Sequence, residues 1–318
     1  MKAISPGRAV TVERVLSAAD IEAFGQLSGD YGRHHLAGGD QAPIAHGLLV
    51  AAVVTKLGGD VSFLVRKMEL EFVKPVVAGS TVRGVLAVEE YSATRSGWWV
   101  RFAGGVETGG EMAMRMEAEG YLARELLDVE PVLPALMSSL GLAPGCSVAD
   151  VVRGVADIPY GRAEVAWGAS LPDAALRAGR GTCSSKHYLL AQVLREGWPD
   201  LAIEVRHRVY KLVPGDATRL FGDEAAGHVP VEGLVDVHTY LRVGGRVVDA
   251  TFPVPSSWAE GDDMQLASGD GLDVAGGVFP AATKARLVRL HCDPAVREPF
   301  IAALAGTATA EHEPNASQ

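Results

Sequence analysis

Cysteine is scarce in this chain: three in 318 residues, Cys146, Cys183 and Cys292, with no Cys-x-x-Cys pair and no Cys/His ligand spacing. That excludes a disulfide framework and a structural zinc site, so any special thiol must be special for its chemistry. Long apolar runs are also missing. The longest, Gly47 to Val54, is far short of the ~20 residues that cross a bilayer. Cationic charge is in deficit, 29 Lys and Arg against 39 Asp and Glu for a net −10. No stretch interleaves basic with aromatic residues, which argues against a nucleic-acid partner. MKAISPGRAV lacks the charged leader, apolar run and cleavage site of a signal peptide, so no membrane association and a cytoplasmic location are expected. No phosphate loop or dinucleotide fingerprint occurs. What remains is 48% hydrophobic and 21% charged, the balance of a globular protein long enough for two domains.

The first of these reads over 1–126. After an amphipathic opening (SAADIEAFGQLSGD) comes HGLLVAAVVTKLGG, a helix apolar on nearly every side with Gly58 and Gly59 as its stop. Such a helix needs wrapping. RKMELEFVKPV, STVRGVLAVEEYSA, GWWVRFAGGVE and EMAMRMEAEGYLA alternate as strands between Gly, Ser or Pro turns, so one antiparallel sheet curling around the helix is expected, a hot-dog arrangement. Residues 127–150, with three prolines and small helical pieces, read as a linker. A second domain over 151–305 holds a helix after Cys183 and strands AIEVRHRVYKL, LVDVHTYLRV and RVVDATFPV, an α+β layout. The polar residues 306–318 read as a disordered tail.

GRGTCSSKHYLL places Cys183 at the start of a helix, where partial positive charge and free N–H groups lower a thiol pKa. A nucleophilic thiol also needs a base, itself oriented by a third group. In LVDVHTYLRV, Asp236, His238, Tyr240 and Arg242 share one face. Gly244-Gly245 then makes a two-residue hairpin that pairs Val243 with Arg246 and puts Asp249 diagonal to His238. His187, one turn beyond Cys183, is an alternative neighbour of the thiol, and Asp236 an alternative orienter. Cys146 and Cys292 read as core. GRGTCSSKHYLLAQVL, VDVHTYLRV and RVVDATFP resemble, over roughly 158–255, the three core motifs of the transglutaminase-like branch of the papain superfamily. The resemblance implies Cys183 as nucleophile, His238 as general base and acid, and Asp249 as orienter. That superfamily includes peptidases, amidases and acyltransferases.

LSGDYGRHHLAGGDQAPIAHGLL is the second informative stretch. Hydrating an acyl thioester needs one group to move the α-proton, one to handle the β-oxygen, and donors for the carbonyl. Asp30 and His35 can supply the first two, and backbone N–H groups around Gly47 and Leu48 the third. Ser28-Gly29-Asp30, His35 and Ala45-His46-Gly47 resemble the MaoC-like hydratase and dehydratase family over most of 5–123. This implies a hot-dog fold, a homodimer through it, and a tunnel for a pantetheine arm. The chain departs from the family pattern at Gly32, Arg33 and His34, and is short between His35 and His46. A metal held by His34, His35, Asp40 and His46 is not expected, since the Gly-rich loop among them reads as a turn.

Both halves suit acyl groups. The leading expectation is an acyltransferase in which Cys183 takes an acyl group from an acyl-carrier protein or coenzyme A thioester and passes it to a small-molecule acceptor, as in specialised metabolism, with no cofactor of its own. The rivals are an acyl-thioester hydratase or dehydratase with a silent second domain, a cysteine hydrolase of amides or peptides, and a binding protein.

Overall fold

The computed structural model describes residues 3–38, 42–93, 96–129, 131–164 and 171–306. Asp40 and the tail from 307 on lie outside them. The chain divides into two compact units, one running to Val129 and the other beyond it.

The first unit opens with strand β1 (Val10–Val15), which the sequence reading lacked, and helix α1 (Ala18–Ser28). Ser17 caps α1 in a reciprocal box with Asp20: the Asp20 N–H donates to the Ser17 hydroxyl at 3.1 Å, and the Ser17 N–H to the Asp20 carboxylate at 2.9 Å. Gly29, at φ 76°, turns the chain out of the helix. Helix α2 (Gly47–Asp60) follows, then β2 (Leu64–Phe72), β3 (Thr81–Ala93), β4 (Gly97–Thr108) and β5 (Glu111–Ala123). The strands form one antiparallel sheet in the order β1-β3-β4-β5-β2. Leu49, Val50, Val53, Val54 and Leu57 of α2 are buried with Val82, Leu86, Val100, Phe102, Met114 and Leu122 of the sheet. Each such side chain contributes roughly 1.5–3 kcal/mol, so the helix is held by the sheet it was expected to need, in a hot-dog arrangement. Gly58 and Gly59 do not stop α2. It runs to Asp60, and the Gly58 carbonyl accepts from Val61 and Phe63.

The second unit contains α3 (Val132–Leu140), α4 (Val148–Asp157), α5 (Leu171–Ala178), α6 (Cys183–Gly197), β6 (Ile203–Leu212), α7 (Pro214–Ala226), β7 (Leu234–Val243), β8 (Arg246–Val248), β9 (Gly271–Ala275), α8 (Pro280–His291) and α9 (Pro294–Gly306). Its antiparallel sheet has the order β8-β7-β6-β9. Helix α6 is the hub, with Leu189, Leu190, Val193 and Leu194 fully buried against Val132, Leu136, Val151, Val152 and Val155. Residues 127–150 therefore do more than link. Their helix α3 is part of this core, and the Glu196 carboxylate of α6 accepts from the Val132 and Leu133 N–H groups, both at 2.8 Å, satisfying donors that a helix start leaves open. Among the described residues no helix is long and apolar enough to cross a membrane.

Candidate active site

Three elements converge in the second unit: the first residue of α6, the middle of β7 and the segment just after β8. The Gly244-Gly245 turn sets Val243 opposite Arg246, as the hairpin reading required. The ladder ends at Val248, one residue before Asp249, yet the Asp249 carboxylate reaches back to His238 with Nε2···Oδ2 at 2.8 Å. The other oxygen of Asp249 accepts from the Thr251 N–H at 3.0 Å and hydroxyl at 2.6 Å, and Oδ2 also accepts from the Ala267 N–H at 2.7 Å. Burial opposes ionisation of Asp249, but the charge and hydrogen bond of His238, with those donors, hold its carboxyl well below the usual carboxylate range.

With Nε2 committed to Asp249, Nδ1 is the ring nitrogen left for the thiol, and His238 and Cys183 shift each other's ionisation. Burial pushes the Cys183 thiol up, but the Lys284 charge and then His238 outweigh it and bring it to about 6. Burial pulls His238 down, while the Asp249 carboxylate and then the thiolate raise it to about 10. The thiol ionises above the lower value and the imidazolium survives below the upper one, so a thiolate–imidazolium pair spans neutral pH.

The two alternatives drawn from sequence have other work. His187 donates from Nδ1 to the Cys183 carbonyl at 2.6 Å and accepts at Nε2 from the Ala250 N–H at 2.8 Å. Burial, the largest influence, lowers its pKa to about 4, so it is a neutral strut between α6 and the Asp249 segment. Asp236 accepts from Arg297 Nε of α9 at 2.7 Å and so orients no histidine. Cys146 is half-buried, and Cys292 is buried in an apolar cluster with Val237 and Leu287. Two residues that the sequence did not point to matter here. Lys284 of α8 lies beside the thiol, and Lys186 of α6 is fully buried among backbone carbonyls. Nothing in PAATKARLVRLH marks Lys284; only Pro280, suited to a first helical turn, announces the helix that carries it. The thiol opens on a cavity of about 240 Å³ lined among others by Tyr160, Leu171, Asp236, Lys284, Arg297 and Ile301.

In the first unit, His35 Nε2 lies 3.6 Å from Asp30 Oδ2. The His35 Nδ1–H donates to the Ile44 carbonyl at 2.7 Å, which leaves a lone pair on Nε2 facing the carboxylate. The gap is too long for a direct bond but suits a bridging water. His46, buried, meets the Asp30 carbonyl through Nε2 at 2.9 Å and stacks on His35 with ring centroids 3.7 Å apart at 21°. Ligand atoms of Asp30, His35 and His46 lie within 4.8 Å of one another, but stacked rings aim their lone pairs along near-parallel planes, not at one ion. Gly47 begins α2 without a side-chain cap. A Cβ there would fall 2.9 Å from the Phe72 ring, so glycine lets that ring close over the helix start. Leu48 is largely exposed.

By architecture the first unit is of the hot-dog class. Among the solved structures similar to it over that part of the chain are hydratases and dehydratases. An (R)-hydratase from Pseudomonas aeruginosa is 25% identical, covering 38% of this chain and 83% of its own, with TM-score 0.35. An (R)-hydratase from A. caviae involved in PHA biosynthesis is 25% identical, with 38% and 99% covered and TM-score 0.33. A MaoC-like dehydratase from Rhodospirillum rubrum is 18% identical, with 38% and 94% covered and TM-score 0.32. No protein-family model matches the chain, and no curated protein matches it.

Proposed function

We propose that the second unit is a cysteine acyl-transfer centre of the transglutaminase-like type, with Cys183 as nucleophile, His238 as acid and base, and Asp249 as orienter. One observation carries this reading: a buried histidine bound to a carboxylate through one nitrogen at 2.8 Å and electrostatically coupled to a buried thiol at a helix start. The thiolate attacks the carbonyl of an acyl-carrier or coenzyme A thioester, and His238 protonates the departing thiolate. A small acceptor then gives its proton to His238 and releases the acyl group. The test is intact mass after mixing the full chain with a panel of acyl-pantetheine thioesters. Wild type is expected to gain the acyl mass and Cys183→Ala to gain none. An equal adduct on both proteins, or none on wild type although its thiol alkylates normally, rejects the reading.

A second reading, hydration or dehydration of an acyl thioester in the first unit, is favoured by the two acceptors of Asp30 and His35 set 3.6 Å apart. Together they can hold and polarise a water, with the uncapped start of α2 at Gly47 and Leu48 offering N–H groups to the thioester carbonyl. Under it, Asp30→Asn and His35→Ala each abolish water addition to an enoyl thioester while Cys183→Ala leaves it intact. A fully active Asp30→Asn protein would refute it.

The same unit supports a homodimer. Edge strand β2 exposes Leu64, Val65, Met68 and Phe72, an apolar edge of the kind that pairs with another chain. Light scattering is expected to give twice the 33.4 kDa of one chain, and Met68→Lys with Phe72→Lys to halve it. A monomer in the wild type would contradict this.

A further inference from the structure

The thiol of Cys183 has a second cation beside it that the triad does not explain. Lys284, four residues into α8, places Nζ 3.4 Å from Cys183 Sγ and 2.6 Å from Ser184 Oγ. A chain of buried hydrogen bonds runs on from there. Ser184 Oγ meets Thr239 Oγ1 at 3.3 Å, Thr239 Oγ1 meets His207 Nδ1 at 3.2 Å, and His207 Nε2 meets the Pro280 carbonyl at 2.9 Å.

The direction of this chain can be worked out from its far end. A carbonyl only accepts, so His207 carries its hydrogen on Nε2. Burial, followed by the charge of Lys284, lowers the His207 pKa to about 3, so the ring is neutral and Nδ1 accepts from the Thr239 hydroxyl. Thr239 in turn accepts from the Ser184 hydroxyl, and Ser184 accepts from Lys284. Every hydrogen points away from the thiol, which fixes the lysine as donor at its end. Pro280 is the first residue of the helix that carries Lys284, so the chain also ties that helix to β6 and β7.

We propose, on the basis of the acyl-transfer reading, that Lys284 is a fourth catalytic residue: its ammonium holds the Cys183 thiolate in the resting protein and donates to the carbonyl oxygen as that oxygen becomes negative. When the thiolate attacks, a C–S bond forms and the C=O π pair moves onto oxygen. A donor 3.4 Å from sulfur can reach that oxygen with no proton transferred. Collapse restores the carbonyl and expels the leaving thiolate, which takes its proton from His238. The charged or titratable groups facing the thiol are Lys284 from α8, His238 and Asp236 from β7, Arg297 from α9, paired with Asp236, and Tyr160 from the segment after α4.

The test uses the full chain as wild type, Lys284→Met, Lys284→Arg and Ser184→Ala. Iodoacetamide alkylation across pH reports the thiolate and needs no substrate. The wild-type rate is expected to inflect near pH 6. In Lys284→Met the inflection rises by about one unit or more, since an opposite charge at this range shifts a pKa by roughly 1–3. Lys284→Arg restores most of it, and Ser184→Ala, which keeps the lysine but frees it, gives a smaller shift of the same sign. At high pH, where alkylation rates converge, acylation of Lys284→Met by an acyl-pantetheine thioester still lags about 10²-fold, as expected for a lost oxyanion donor. An unmoved inflection in folded Lys284→Met overturns the proposal. Should that variant not fold, an unmoved inflection in Ser184→Ala does so instead. If the inflection moves but no thioester acylates wild type, the acyl-transfer reading falls and Lys284 keeps its place at the thiolate.

Discussion

Asp249→Asn is expected to slow acylation of Cys183 by roughly 10³- to 10⁴-fold while leaving the chain folded. The reason lies in what surrounds the carboxylate. Four donors reach its two oxygens: the His238 ring, the Ala267 N–H, the Thr251 N–H and the Thr251 hydroxyl. An asparagine has one oxygen and one NH₂, so whichever way it turns, an NH₂ faces hydrogens. If the NH₂ faces the histidine, Nε2 must become an acceptor. The hydrogen then moves to Nδ1, and the ring can no longer take a proton on the side of the thiol. The electrostatic consequence has the same sign. The Asp249 charge is the main force raising His238, which stands at about 10 against burial, and without it burial drives the ring neutral. Wild-type acylation should therefore rise through about pH 6, hold a plateau, and fall through about pH 10, as thiolate forms and imidazolium is lost. The variant should show no plateau. Rapid-quench acylation from pH 5 to 11 measures both quantities, and a variant rate within tenfold of wild type at neutral pH would dismiss Asp249 as orienter.

That carboxylate was legible in the sequence because hairpin register is local. Two glycines, at φ 57° and 84°, specify a tight turn, and the turn fixes which residues share a face. Cys183 was legible for a similar reason, since Gly and Thr followed by helix-forming residues announce a helix start. The wrapped helix α2 could be read because a helix apolar on nearly every side has few other fates. What could not be read depends on long-range packing. Strand β1 is short and half polar, and it becomes a strand only by pairing with β3. Helix α8 carries Lys284, Arg286, Arg289 and His291, and by charge it resembles a solvated surface helix. Its lysine meets the thiol across 101 positions of chain. The Asp236 alternative illustrates the same limit. Its spacing from His238 was correct for an orienter, and only the arrival of Arg297 from α9 gives it a different partner.

Lys186 was equally hidden, and Lys186→Met is expected to cost on the order of 3 kcal/mol of stability, the largest such effect of any single change at this site. It stands three residues beyond Cys183 on α6, completely buried. Its ammonium donates to the Ala156 carbonyl at 2.8 Å, the Ile158 carbonyl at 2.7 Å and the Thr251 carbonyl at 2.9 Å. Two of those oxygens lie at the end of α4, where a helix leaves carbonyls without partners. The third belongs to the residue whose N–H and hydroxyl hold Asp249. Burial pulls the pKa of Lys186 down to about 7, against the charges of Asp249 and Asp157. Three acceptors match an ammonium, whereas a neutral amine has only two hydrogens to give. Methionine preserves the length and apolar stem but leaves all three oxygens buried without a donor, and relief from burying a charge offsets only part of that. Urea unfolding followed by hydrogen exchange of α6 peptides should show the loss in the second unit and leave α2 peptides unchanged. A change below ~0.5 kcal/mol would mean that the three carbonyls find water instead. Because Thr251 is shared, the variant that still folds should also acylate more slowly, which ties the stability of α6 to the orientation of His238 through one buried side chain.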